Sequence, residues 1–240
     1  MEHESGGANL HMVECLIFDM DDTLCPEREF VLARLAAVAR RLEERYGPQI
    51  DFERELVTCY EADLRTNVFD TVLERAGVAP EEGVIRELVA LYRSLPVDLA
   101  PYPDVEPALE LWSRRLPLAL ITDGHGPTQR AKLACVGLAP YFREVVFTHD
   151  LGPDGIKPSA AAFRLVQQRI GFEGPAAMVG DNPALDFPAP KQLGWTTVRI
   201  VRPGAKFARA EADPSCTPDH VIGHLDELQA IDGLRECLAG

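Results

Sequence analysis

Two carboxylates stand two residues apart where an apolar run ends. Residues 13–18 are largely apolar, and Asp19 and Asp21 follow them directly. Such a run, bounded by polar residues, predicts a central strand of a parallel sheet, and ligands bind at the carboxyl end of such strands. If the strand conformation continues through Met20, both carboxylates project from one face and repel each other, unless a hard cation bridges them or one keeps a proton. A plain acidic turn is the alternative.

A second apolar run, residues 116–121, ends in groups suited to binding phosphate oxygens. Thr122 supplies a hydroxyl. Gly124, which follows Asp123, lets the backbone approach a ligand closely and offer its amide. Thr-Asp-Gly is also an ordinary turn sequence. Whether this segment binds phosphate therefore depends on which residues the other segments place beside it.

Lys157 precedes a helical pattern over residues 159–170, in which Pro158 can take the first position. The helix dipole disfavours a cation at this end, so Lys157 is best explained there if an anion binds beside it. A solvated surface lysine is the alternative.

A third apolar run, residues 176–180, also ends in an acid. Asp181 follows it directly, and Asp186 lies in the first turn of the next predicted helix. Both acids face the first pair if the two strands are neighbours. A helix cap and a surface acid that compensates the helix dipole are the alternative.

Taken in order, the four segments resemble the four signatures of the haloacid dehalogenase-like (HAD) hydrolases, most of which are Mg²⁺-dependent phosphatases. The sequence Phe-Asp-Met-Asp-Asp-Thr-Leu at residues 18–24 carries the first signature, and Thr-x-Gly, Lys-Pro and Gly-Asp-x-x-x-x-Asp carry the others. The resemblance implies that Asp19 is the nucleophile and that Asp21 protonates the leaving oxygen and then activates water. It also implies that Mg²⁺ is held by the carboxylates of Asp19, Asp181 and Asp186 and by the backbone carbonyl of Asp21.

The same resemblance implies that the segment Thr122, Asp123 and Gly124 binds phosphate, through the hydroxyl and the glycine amide. Lys157 would neutralise both the nucleophile and the phosphate. Two positions depart from the commonest pattern, since Asp123 and Leu185 each stand where many relatives have Asn. Neither departure removes a required group.

The elements that must position these residues alternate between strand and helix. Such βα units predict an α/β fold, a Rossmann-like parallel sheet with helices on both faces. Beyond the runs already described, the predicted strands cover residues 144–148, 196–201 and 220–222. The predicted helices cover residues 104–115, 127–136, 159–170 and 183–193, with one more after the last strand.

Residues 27–95 have a different, purely helical pattern. Apolar residues recur at three- and four-residue steps from Glu27, and further helical stretches cover about 52–76 and 81–94. We therefore predict a core of residues 13–26 and 96–240 with a helical insertion, 27–95, which the resemblance implies is a cap. Residues 1–12 are polar and aperiodic and are predicted to form a loose tail.

Composition narrows the possible partners. The formal net charge of −14 disfavours nucleic acid and anionic membranes. No apolar run is long enough to span a bilayer, and the amino-terminal residues lack the basic region of a signal peptide, so a cytoplasmic protein is expected. The six cysteines have no CxxC spacing, which indicates reduced thiols.

The predicted function is Mg²⁺-dependent hydrolysis of a small phosphate ester, such as a sugar phosphate or a nucleotide, through an aspartyl phosphate. A dehalogenase is disfavoured, because an alkyl halide leaves without the proton that Asp21 would provide. A phosphosugar mutase would use the same acids. A non-catalytic phosphate- or protein-binding module on this fold is the third possibility.

Overall fold

The computed structural model describes residues 12–62, 64, 66–211 and 213–239. Residues 1–11 of the predicted tail therefore lie outside the described residues. The chain forms two compact units. The first contains the described residues up to Pro26 together with those from Ala100 onward, and the second is Glu27–Leu99.

The first unit is built on a parallel sheet, which confirms the predicted α/β fold. Its strand order is β3-β2-β1-β4-β5-β6, and every neighbouring pair is parallel. The strands are β1 (Cys15–Phe18), β2 (Leu118–Thr122), β3 (Glu144–Phe147), β4 (Ala176–Gly180), β5 (Thr196–Ile200) and β6 (His220–Ile222). All residues of β1, β2 and β4 are buried. This burial explains why these strands appear in the sequence as continuous apolar runs rather than as alternating ones.

The helices lie in the predicted helical stretches, but their ends differ, and the stretches 52–76 and 183–193 each contain two helices. They are α1 (Glu27–Tyr46), α2 (Phe52–Glu61), α3 (Val68–Arg75), α4 (Glu82–Ser94), α5 (Val105–Ser113), α6 (Gly126–Cys135), α7 (Ala161–Ile170), α8 (Pro183–Asp186), α9 (Pro188–Gln192) and α10 (Arg235–Ala239). Among the described residues, no helix combines the length and the apolar character needed to span a bilayer.

Two predicted helices are wrong in detail. The stretch 183–193 is two short helices, because Pro188 and Pro190 lack the N–H groups that a continuous helix would need. The stretch 159–170 becomes helical only at Ala161, so Pro158 is not its first residue.

The second unit, α1–α4, has an apolar core of its own. Residues on one face of α1 pack against α2 and α4, which is the arrangement expected of amphipathic helices. The most deeply buried members of this core are Val38, Leu42, Phe52, Leu56, Cys59, Val72 and Leu73. No strand is found among the described residues of this unit.

A buried ion pair ties distant parts of the first unit together. Arg202 Nη1 lies 2.7 Å from Asp104 Oδ2, and both side chains are at most 4% exposed. Arg202 also donates to the carbonyl oxygen of Thr23, at 2.9 Å from Nη2, while the Leu225 amide donates to Asp104 at 2.7 Å. Burial by itself raises the pKa of Asp104, but the bonds from Arg202 and Leu225 outweigh it and hold the pKa below its ordinary value.

We expect Asp104→Asn to lower the free energy of unfolding by about 3–5 kcal/mol, because it leaves the Arg202 charge buried without its counter-ion. Since the pKa of Asp104 is lowered in the folded protein, its contribution exists above the unfolded pKa and disappears as pH falls. The difference between wild type and variant should therefore shrink below about pH 4.

Urea unfolding at several pH values measures this difference. Arg114→Ala is the matched control, because it removes an exposed ion pair with Glu110 on α5 and should change the midpoint little. Equal effects of the two variants would contradict the assignment of Asp104 and Arg202 as a buried stabilising pair.

Candidate active site

The site lies where three neighbouring strands end. Strand β1 lies between β2 and β4, and the three are parallel, so their carboxyl ends meet at one edge of the sheet. Asp19 follows β1, Thr122 is the last residue of β2, and Asp181 follows β4. The strand order therefore brings together segments that are about 100 and 60 residues apart in the sequence, as expected for ligand sites in open α/β sheets.

Lys157 connects two of the acids. Its Nζ lies 2.6 Å from Asp19 Oδ1 and 2.7 Å from Asp186 Oδ1, and its side chain is 3% exposed. Burial by itself lowers the pKa of this ammonium, but Asp186 and Asp19 outweigh burial and raise the pKa well above its ordinary range. Because α7 begins only at Ala161, the helix-terminus explanation of this lysine was wrong. The carboxylates account for its position.

Three buried carboxylates form a cluster. Ligand oxygens of Asp19, Asp181 and Asp186 lie within 4.8 Å of one another. Burial raises the pKa of Asp19 to about 8 despite the nearby Lys157, and burial together with Asp186 raises the pKa of Asp181 to about 10. Asp181 Oδ2 is buried and has no hydrogen-bond partner among the described residues. An orphaned oxygen in such a group fits a hard cation, which prefers carboxylate ligands.

Asp21 has partners different from those of Asp19. Strand β1 ends at Phe18, so the condition under which strand geometry would place both acids on one face is not met. Lys132 Nζ donates to Asp21 Oδ1, and Gln129 Nε2 donates to Asp21 Oδ2 at 2.8 Å. The two acids are therefore each paired with a lysine from a different part of the chain.

The segment after β2 is held by side-chain hydrogen bonds. Gln129 Nε2 donates to Thr122 Oγ1 at 2.8 Å. Asp123 Oδ1 accepts from Thr148 Oγ1 at 2.5 Å and from the Lys157 amide at 3.2 Å, so the Asp123 carboxylate joins the Thr122 segment to the Lys157 segment. Gly124 has a φ of +113°, which favours glycine. Phosphate binding by Thr122, Asp123 and Gly124 stays a prediction.

The sequence interpretation missed Gln129 and Lys132. Both lie on α6, three residues apart, and both are buried. A signal was present, because Gln129 and Lys132 each precede an apolar residue by four positions, at Leu133 and Val136, and so share the buried face of the helix. That pattern places them on the face, but it does not reveal which acid they contact.

Gly180 leaves room for the Asp186 carboxylate. A Cβ at position 180 would lie 2.4 Å from Asp186 Oδ2 and 2.6 Å from its Cγ. Asp186 Oδ2 is fixed there by the Asn182 amide, at 3.0 Å. The last residue of β4 must therefore lack a side chain for Asp186 to reach Lys157.

Comparison with known proteins agrees with this geometry. The sequence profile of haloacid dehalogenase-like hydrolases matches residues 13–194. The chain belongs to this family. It is 31% identical over 229 residues to a glyceraldehyde 3-phosphate phosphatase of Methanocaldococcus jannaschii, covering 92% of this chain and 97% of the relative.

A further relative agrees with the family assignment, and a solved structure agrees with the fold. The chain is 35% identical over 186 residues to a phosphoserine phosphatase of Thermus thermophilus, covering 75% of this chain and 70% of that protein. A magnesium-bound HAD hydrolase of Bacillus subtilis has the same fold, with a TM-score of 0.67, 20% identity and coverage of 91% and 98% of the two chains. The phosphatase relatives support the prediction that this HAD hydrolase is a phosphoric monoester hydrolase.

We expect Gly180→Ala to displace the Asp186 carboxylate and to lower both the melting temperature and the rate of phosphate ester hydrolysis. Gly83→Ala is the control, because a Cβ there meets nothing within 4 Å and the position lies inside α4. Alanine at that position, the second residue of α4, should leave the melting temperature unchanged or raise it slightly, because alanine is the better helix former. Differential scanning fluorimetry and a phosphate-release assay measure both effects. A Gly180→Ala protein that is as active and as stable as wild type would show that the Asp186 carboxylate can adopt another position without cost.

Proposed function

We propose that this HAD hydrolase is a Mg²⁺-dependent phosphomonoesterase in which Asp19 carries the phosphoryl group. The observation that carries the proposal is the position of Asp19. It follows the central strand, is bonded to Lys157 and is clustered with two further buried acids, Asp181 and Asp186. Phosphoryl transfer requires positioning and charge neutralisation above all, and this arrangement is suited to both.

In the first step, a carboxylate oxygen of Asp19 bonds to phosphorus while the bond from phosphorus to the leaving oxygen breaks. Asp21 gives its proton to that oxygen, which leaves as an alcohol. In the second step, water bonds to phosphorus and passes a proton to Asp21, and the bond from phosphorus to Asp19 breaks. Division into two displacements replaces one difficult step with two easier ones.

Three other groups of the chain bind and orient the phosphate in this scheme. Lys157 neutralises charge on Asp19 and on the phosphoryl oxygens, and the Thr122 hydroxyl and the Gly124 amide donate hydrogen bonds to those oxygens. Mg²⁺ bound by Asp19, Asp181, Asp186 and the Asp21 backbone carbonyl would supply further positive charge beside the phosphoryl group.

The substrate that we propose is a small phosphate monoester. The two phosphatase relatives are named for glyceraldehyde 3-phosphate and phosphoserine, which are both three-carbon compounds. We therefore place three-carbon phosphates first in a substrate panel, followed by sugar phosphates and nucleotides. The helical unit Glu27–Leu99, inserted between β1 and β2, is proposed to be the cap that excludes water and selects the substrate.

Asp19→Asn should lower hydrolysis of every substrate by about 10³-fold or more, because the amide is a poor nucleophile. Asp21→Asn, given an activated aryl phosphate, should release the phenol in a burst and accumulate the phosphoenzyme, since phosphoryl transfer to Asp19 then needs no acid but hydrolysis still needs a base. Intact-protein mass spectrometry and a phosphate-release assay measure these outcomes.

The matched control is Asp226→Asn, which changes a carboxylate that is 65% exposed. It should hydrolyse substrates at the wild-type rate. Undiminished activity of Asp19→Asn, or a panel in which wild type releases no inorganic phosphate from any ester, would overturn the proposal.

The metal prediction can be tested without turnover. Mg²⁺ should raise the melting temperature of wild type by mass action, and Asp181→Asn should remove most of that increase. Because the pKa of Asp181 is raised in the folded protein, its ionisation disfavours folding at neutral pH. The metal-free Asp181→Asn protein should therefore melt above metal-free wild type, by about 2–4 °C for each kcal/mol regained. An unchanged Mg²⁺ effect in Asp181→Asn would exclude Asp181 as a ligand.

A further inference from the structure

Lys132 is a buried lysine that the scheme above does not use. Its side chain is 3% exposed, and its Nζ donates to Asp21 Oδ1. The chain has only four lysines among its 24 basic residues, so lysine is not its usual surface cation. Burying an ammonium is costly unless a partner compensates for the lost hydration. Asp21 is such a partner.

Gln129 completes the contacts of the same carboxylate. Its Nε2 lies 2.8 Å from Asp21 Oδ2 and 2.8 Å from Thr122 Oγ1, and the residue is 3% exposed. Both hydrogens of the amide are used in these bonds. Thr122 Oγ1 is then the acceptor toward Gln129, and its own O–H donates to the Asp123 carbonyl oxygen at 3.4 Å, a long bond that a phosphate oxygen can replace.

One helix therefore holds both oxygens of Asp21. Gln129 and Lys132 lie three residues apart on α6, a spacing that places them side by side. Two donors on two oxygens prevent rotation of the carboxyl group about its Cβ–Cγ bond. Each carboxylate oxygen has two acceptor sites, so one site on each is still available to exchange a proton.

We propose that Lys132 and Gln129 are positioning residues that hold Asp21 in the orientation for proton transfer, and that Gln129 also orients the Thr122 hydroxyl as a donor to phosphate. This inference rests on the proposed function. The step that depends on it forms the bond from Asp19 to phosphorus, breaks the bond to the leaving oxygen and moves a proton from the Asp21 carboxyl group to that oxygen.

The leaving group provides the test. A simple alkyl phosphate needs a proton on its leaving oxygen, whereas 2,4-dinitrophenyl phosphate does not, because its phenolate is already stable. Lys132→Met and Gln129→Leu should lower kcat/KM for the alkyl ester about 10- to 100-fold more than for the dinitrophenyl ester, in the same direction as Asp21→Asn. A purely structural role would lower both values by the same factor.

Lys191→Met is the matched control, because it removes a lysine that is paired with Asp219 at 2.9 Å outside the site. It should keep the wild-type ratio of the two kcat/KM values. Should Lys132→Met fail to fold, Gln129→Leu carries the same comparison. The inference is overturned if the variants that fold keep the wild-type ratio while Asp21→Asn changes it. If Asp21→Asn also keeps the ratio, the acid role of Asp21 in the proposed function is what fails.

Discussion

The structure depends on a concentration of negative charge at the end of a buried strand. β1 is covered by neighbours on both sides, so the acid that follows it is withdrawn from water. Asp181 and Asp186 add two further buried carboxylates, and Lys157 is the cation bonded to two of the three. Such a group is unfavourable as long as its charge is not compensated, which is why burial and mutual repulsion raise the pKa values of Asp19 and Asp181. A site of this kind is suited to binding positive charge and phosphate together.

The two acids of the first signature are separated by their partners rather than by distance along the chain. Asp19 is paired with Lys157, which follows β3, whereas Asp21 is paired with Lys132 on α6. Because each acid has a cation of its own, the two can serve different purposes although they stand only two residues apart. A nucleophile must be ionised when it attacks, and since burial raises the pKa of Asp19 to about 8, Asp19 needs the positive charge of Lys157 and of a bound cation. An acid and base must instead exchange a proton, so the proposed chemistry needs separate environments for the two acids.

Much of this was readable from the sequence because the informative residues lie directly after apolar runs. A run that ends in an acid places that acid at a sheet edge, and the βα alternation predicts that the runs are parallel. The conjunction of three such endings with the Lys-Pro segment led to the correct family and fold. Local details were less predictable. The helix expected over residues 183–193 is interrupted before Pro188, and β1 ends at Phe18 instead of continuing to the acids.

Long-range pairs were not readable for a different reason. The pair Asp104 and Arg202 is 98 residues apart, and Gln129 contacts Asp21 across 108 residues. Periodicity places such polar residues on a buried face, but their partners are set by strand order and by which helix covers which strand. Neither quantity is encoded in a local pattern.

The loop after β1 shows how these long-range contacts serve the site. Asp22 has a φ of +54°, an uncommon conformation for a residue other than glycine, and its Oδ2 accepts from the Lys206 amide at 3.0 Å. Arg202 holds the next residue, Thr23, through its carbonyl oxygen. The segment after β5 therefore fixes the loop that carries Asp21, although it contributes none of the proposed catalytic groups. All the side chains assigned to the site belong to the first unit, so the helical unit can differ in sequence without changing the groups that perform the proposed chemistry. In the proposed function, this separation lets the helical unit alter substrate selection while the strand endings keep the groups that perform the chemistry.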